Sequence, residues 1–170
     1  PQQLFDSLAA LMRTDPAVAV VDGHLTEDLR REMRRRFSIL IVEDNLVNQT
    51  VTEHQLRKLG YRCAIVDGGA EALETLAHTQ YALILMDCMM PGLDGFETTA
   101  ELRRREAASA RHTIVVAMTA AALQGDREKC LAAGMDDYLA KPVKLEQMTA
   151  VLDQWLLGAE PSVPDQRSVP

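Results

Sequence analysis

The chain has 170 residues, 47% of them apolar and 25% charged, which is the composition of a folded globular protein and excludes disordered, collagen-like and disulfide-scaffold classes. A formal net charge of −7 argues against nucleic-acid binding, which needs a basic face, and no apolar run approaches the ~18 residues of a membrane span. The three cysteines, Cys63, Cys88 and Cys130, form no C-x-x-C pair and read as inert, reduced thiols of a cytoplasmic protein.

The first residues, Pro1-Gln2-Gln3, show neither an initiator Met nor the basic start of a signal peptide, so a piece of a longer chain is expected. Leu4, Phe5, Leu8, Leu11 and Met12 then form an apolar stripe at helical spacing. Six acids balance six arginines in residues 1–37, which leaves the whole −7 in residues 38–170. Thr26 is placed to N-cap a helix running to Arg36, with Glu27 and Asp28 in its first turn and arginines in its last, as the helix dipole favours. Its stripe of Leu25, Leu29 and Met33 is thin, which predicts a connector rather than a core element and makes Arg34–Arg36 a solvated helix face.

From Ser38 onward strands and helices alternate. Ser38–Val42 is a β-branched apolar run of the kind buried on both faces of a sheet. A helix is predicted over Asn48–Leu59, closed by Gly60, and a second strand over Arg62–Val66. Gly69–His78 reads as a helix, Ala82–Met86 as a strand ending at Asp87, and Phe96–Arg105 as the helix that follows the Pro91–Gly95 turn. Ile114–Met118 is a fourth strand, Asp126–Ala133 a helix closed by Gly134, Tyr138–Leu139 a short fifth strand and Leu145–Leu157 a last amphipathic helix. Pro161, Pro164 and Pro170 mark residues 158–170 as a flexible tail. Five strand–helix units in ~120 residues predict an α/β fold, a doubly wound five-stranded parallel sheet flanked by helices, with an N-terminal helical extension.

In such a fold ligands sit outside the carboxyl ends of the strands. The strands here end in Glu43-Asp44-Asn45, Asp87, Thr119 and Lys141-Pro142. Three carboxylates on one rim repel unless a cation sits among them, and carboxylate oxygens completed by water suit Mg²⁺. A lysine adds a point charge for a phosphoryl group and a threonine adds a hydroxyl donor. That set is suited to phosphoryl transfer onto an aspartate.

Residues 37–157 resemble the receiver domain of two-component response regulators, with the flavodoxin-like receiver fold. The resemblance rests on I-V-E-D-N at 41–45, M-D-C-M-M-P-G-L-D-G at 86–95, A-M-T-A at 117–120 and G-M-D-D-Y-L-A-K-P at 134–142. It implies that Asp87 is the phospho-acceptor and that Asp44, Asp87 and the Met89 main-chain carbonyl hold Mg²⁺, with Glu43 acting mainly through water. It further implies that Lys141 pairs with the phosphoryl oxygens beside a loop-shaping cis Pro142. Thr119 and Tyr138 would move together as the switch, read out on the face around the helix at 126–133, the strand at 138–139 and the last helix. The alternative for Tyr138 is a core aromatic. The four histidines, His24, His54, His78 and His112, read as structural or solvated.

The wording of the motifs is similar to receivers carried inside hybrid histidine kinases. Residues 1–12 are similar to the last helix of a preceding receiver-like module, which makes residues 13–36 a partly helical linker. The implied function is to take a phosphoryl group from a phosphohistidine, on a kinase dimerisation domain or a histidine phosphotransfer protein, in the cytoplasm and without membrane contact by this stretch. The parent chain would then be a sensor histidine kinase that is free to be membrane-anchored, while this stretch is phosphorylated rather than turning over substrate. The alternative is a pseudo-receiver that binds partners without phosphorylation. A dehalogenase-like phosphatase needs a second Asp where Met89 stands, and no G-x-G-x-x-G follows the first strand to cradle a nucleotide. Met89 and Ala121, two residues after Asp87 and Thr119, cannot position an attacking water, so slow loss of the phosphoryl group is expected.

Overall fold

The computed structural model describes residues 20–21, 24–25, 27–107, 111–120 and 124–158. The apolar stripe at 4–12, Ala121 and the tail from 159 onward lie outside them. A two-residue hairpin, β1 (Val20–Val21) and β2 (His24–Leu25), precedes helix α1 (Glu27–Arg34). The alternating part follows as β3 (Ser38–Val42), α2 (Leu46–Leu59), β4 (Arg62–Val66), α3 (Gly69–His78) and β5 (Leu83–Asp87). It continues through α4 (Gly95–Glu106), β6 (Ile114–Thr119), α5 (Gln124–Ala132), β7 (Asp137–Ala140) and α6 (Leu145–Leu157).

The five long-range strands form one parallel sheet in the order β4-β3-β5-β6-β7. Its central strands are apolar without interruption because both of their faces are covered. Leu40, Val42, Ile84 and Met86 pack into one core with Ala72 and Leu73 of α3, Leu102 of α4 and Cys130 of α5. The alternate residues Ile39, Ile41, Leu83 and Leu85 pack into the other core with Leu56 of α2 and Met148, Leu152 and Leu156 of α6. The predicted doubly wound architecture is the one observed. The chain leaves β3 on one side to form β4 and returns on the other to form β5, so a crevice opens between the carboxyl ends of β3 and β5.

Element limits differ from the sequence reading mainly where a side chain caps a helix. Helix α2 starts two residues early because the Asn45 side chain accepts hydrogen bonds from the Val47 and Asn48 amides, at 2.9 and 3.2 Å. Its far end is closed as expected by Gly60, at φ +96°. Helix α4 begins with a reciprocal capping box between Asp94 and Glu97.

The larger departure concerns α1. Arg34 is not part of a solvated face: it is 2% exposed. Its guanidinium donates to both carboxylate oxygens of Asp153 on α6, at 3.0 and 2.7 Å, and to Glu27 at 2.7 Å. Asp153 also accepts from Arg30 at 3.3 Å and from the Tyr61 hydroxyl at 3.2 Å. Met33 is buried beside this cluster, while Arg35 and Arg36 are exposed as expected. The thin apolar stripe predicted a connector because it left out a buried ion pair, which here does the anchoring.

Candidate active site

Parallel pairing of Val42 with Met86 sets the site. The residue after each, Glu43 and Asp87, then projects from the same rim of two adjacent strands. Glu43 is 1% exposed and Asp87 6%, whereas Asp44 is exposed. One oxygen from each of the three carboxylates lies within 4.8 Å of the others. These donors are all hard oxygens with no histidine or thiolate among them, a set that fits Mg²⁺ better than a transition metal.

The opposite wall comes from β6 and β7. Thr119 ends β6 and is buried. The Lys141 amide donates to the Thr119 carbonyl at 2.7 Å, which pins the end of β7 beside it, and the Lys141–Pro142 peptide is cis. Lys141 Nζ lies 2.6 Å from Glu43 Oε2 and 2.8 Å from Asp87 Oδ2. Burial alone pulls the pKa of this ammonium down, but its hydrogen bonds to Asp87 and Glu43 more than reverse that, and the net shift is upward. The lysine therefore stays charged and offsets part of the repulsion among the acids. Tyr138 is half-buried and packs against the core on the α3–α4–α5 side of the sheet.

The turn after Asp87 is held closely. The Met89 amide donates to Asp87 Oδ1 at 3.2 Å, and the Cys88 amide donates to Met118 O at 3.1 Å. Gly95 returns against the strand end, where a Cβ would stand 2.1 Å from the Asp87 carbonyl oxygen, so only glycine lets α4 start there. Cys88 is buried with its Sγ 4.0 Å from Cys130 Sγ. Burial and the neighbouring sulfur push its thiol pKa far up, which matches the expectation of an inert cysteine.

All the predicted side chains of the site, Glu43, Asp44, Asp87, Thr119 and Lys141, therefore meet on one rim. Two further participants, Asn48 and Gln49, were not named as site residues from the sequence. Asn48 Nδ2 donates to Glu43 Oε1 at 2.8 Å, and buried Gln49 donates to the Glu43 carbonyl at 2.7 Å and to Asp67 at 2.8 Å. Reading Asn45 as an N-cap would have exposed them, because it puts Asn48 and Gln49 at the third and fourth helical positions, facing back to the strand end.

The family model described as "Response regulator receiver domain" matches residues 39–153. Among curated relatives, the Dictyostelium discoideum hybrid signal transduction protein dokA is 41% identical over 118 residues, which cover 69% of this chain and 7% of dokA. Among solved structures, the receiver domain of the sensor histidine kinase PA1611 from Pseudomonas aeruginosa PAO1 is 50% identical. Its TM-score is 0.65, the match covers 72% of this chain and 98% of that one, and magnesium is coordinated in its active-site cleft. The co-crystal structure of the Saccharomyces cerevisiae phosphotransfer protein Ypd1 with the receiver domain of Ssk1 matches at 34% identity and a TM-score of 0.65, over 71% of this chain and 89% of that one. The chain thus spans a small part of the length of dokA and of the hybrid histidine kinases it also matches. No helix among the described residues is long and apolar enough to cross a membrane.

Proposed function

We propose, from the premise that this chain belongs to the response regulator receiver domain family, that it accepts a phosphoryl group from a phosphohistidine onto Asp87 as one module of a hybrid histidine kinase. The observation that carries this reading is the acidic cluster with an ammonium against two of its carboxylates, Lys141 Nζ 2.8 Å from Asp87 Oδ2 and 2.6 Å from Glu43 Oε2.

In the transfer, an Asp87 carboxylate oxygen forms a bond to phosphorus as the phosphorus–nitrogen bond breaks, and the imidazole leaves with the electron pair. Asp44, Asp87 and the Met89 carbonyl would hold Mg²⁺, with Glu43 acting through water. When bound, Mg²⁺ supplies positive charge for the transferred oxygens. Lys141 then supplies an ammonium to the same oxygens and Thr119 a hydroxyl. The new charge at Asp87 biases a two-state element in which Thr119 and Tyr138 move inward, read out on the α5–β7–α6 face.

A histidine-bearing partner, either a kinase dimerisation domain or a histidine phosphotransfer protein, suits the surroundings of the site. Leu46 and Val47 in the first turn of α2 are 73% and 70% exposed and Met89 is 72% exposed, with Val51 one turn further on. Large apolar side chains left open beside an acidic site support docking of an amphipathic helix. Within this reading, residues 13–36 link the receiver unit of residues 37–157 to a preceding module that ends in residues 1–12. The Arg34–Asp153 pair ties the last turn of this linker to α6.

The test is intact mass after incubation with acetyl phosphate, with and without Mg²⁺, on this chain and on Asp87→Asn. A gain of one phosphate that requires both Mg²⁺ and Asp87 is expected. No gain in a folded wild type, together with no Mg²⁺ binding, would replace this reading by a phosphorylation-independent interaction module.

A further inference from the structure

Glu43 is almost fully buried, and both of its carboxylate oxygens are engaged. Oε2 accepts from Lys141 Nζ at 2.6 Å, and Oε1 accepts from Asn48 Nδ2 at 2.8 Å, with the Asn45 amide further away at 3.4 Å. Lys141 serves two acids at once, since Asp87 Oδ2 lies 2.8 Å from the same nitrogen. A phosphoryl group on Asp87 brings further anionic oxygens to that ammonium and draws it away from Glu43. Asn48 is then the short protein hydrogen bond left to the Glu43 carboxylate, beside any water that a bound Mg²⁺ presents to it. A buried charge deprived of its donors is strongly disfavoured, so this bond matters most when the site is phosphorylated.

We propose that Asn48 is a positioning residue of the acidic site: its side-chain amide holds the Glu43 carboxylate in place while Lys141 turns to the phosphoryl oxygens. The inference rests on the reading of Asp87 as acceptor. Its chemical class suits the task. A neutral amide neither competes with a cation, as a second lysine would, nor repels the acids, as a further carboxylate would. The Glu43 backbone is secured separately, through Gln49 and through the Glu43 amide bound to Val66 O at 3.2 Å. Asn48 therefore governs the side chain alone. The Asn45 cap sets the helical position from which its amide reaches Glu43. The same first turn carries exposed Leu46 and Val47 outward, so one helical turn joins the surface beside the site to the carboxylate within it.

The experiment compares wild type, Asn48→Ala and, as a control on an exposed position of the same helix, His54→Ala. Mg²⁺ affinity is measured by calorimetry with and without beryllofluoride, a phosphoryl analogue, and the Mg²⁺-free melting temperature is recorded for each protein. Asn48→Ala is expected to bind Mg²⁺ about tenfold more weakly, as for other residues that orient a metal site from behind. Its loss should be larger again with beryllofluoride, while His54→Ala matches wild type in both. Equal affinities in Asn48→Ala and wild type would overturn the inference. So would a loss that is the same with and without beryllofluoride and accompanied by a lower Mg²⁺-free melting temperature, which marks a merely structural role. A wild type that takes up neither Mg²⁺ nor phosphate would sink the acceptor reading and this one with it. A wild type that takes up both beside an indifferent Asn48→Ala would sink this one alone.

Discussion

Lys141 stands 2.8 Å from Asp87, with its ammonium in contact with the carboxylate before any group has been transferred. On the proposed reading, the charge that phosphoryl oxygens would need is already in place, and little reorganisation would be required at the moment of reaction. Lys141→Met keeps most of the stem and removes the charge. Phosphate uptake at Asp87 from acetyl phosphate should slow by about 100-fold, the scale of losing one preorganised donor. Mg²⁺ binding should persist, because all three acids remain. Stopped incubations read by intact mass would check this, and an unchanged rate would take Lys141 out of the chemistry.

The anchoring of α1 makes a separate claim about stability. Asp153 accepts from Arg34, Arg30 and Tyr61, and Arg34 is almost fully buried. Asp153→Ala would leave a buried guanidinium with Glu27 and the Tyr61 ring but without its main carboxylate, at a cost of about 3 kcal/mol in urea unfolding. Arg34→Met should cost less, because it fills the volume and leaves Asp153 with Arg30 and Tyr61. If Asp153→Ala unfolds at the wild-type urea concentration, α1 is not held as described.

Glu106 gives a pH dependence whose sign can be worked out. Burial raises its pKa, but hydrogen bonds from the Thr113 side chain and amide and from Arg103 outweigh burial, so the folded value lies below the ordinary one. A depressed carboxyl stabilises the fold above its unfolded pKa, about 4.3, and that contribution is lost as pH falls through the lower folded value. The stability difference between wild type and Glu106→Gln should be full at neutral pH and shrink below about pH 4. Urea midpoints measured across that range would show it, and a difference independent of pH would contradict the assignment.

Met89 follows Asp87, the proposed acceptor, by two residues and points its apolar side chain into solvent. It offers no hydrogen bond to an attacking water, so the phosphorylated state should be long-lived, as a relay intermediate requires. Met89→Asn supplies such a group and should shorten the lifetime severalfold, followed as loss of the phosphate mass after the donor is removed. An unaltered lifetime would place the control of hydrolysis elsewhere.

The sheet and its active rim were legible in the sequence for a local reason. A run such as Ile39–Val42 or Leu83–Met86 can be satisfied only when both faces are covered, and in a parallel sheet every strand points the same way. The polar residue that ends each run therefore falls on one edge whatever the details of packing, which is why Glu43, Asp87, Thr119 and Lys141 could be named in advance. Arg34, Arg35 and Arg36 show the limit of that reasoning. They share one composition and one helix end, and nothing nearby in the chain distinguishes them. Arg34 alone is buried because Asp153, 119 residues further on, lies within reach once α6 has packed against the sheet. Asn48 was missed for a different, local reason: its partner Glu43 lies just before α2, and the pairing follows once the cap at Asn45 sets the phase of that helix. Burial of a regular apolar pattern is a property of the segment itself, whereas pairing of a buried charge depends on what the rest of the chain brings to it.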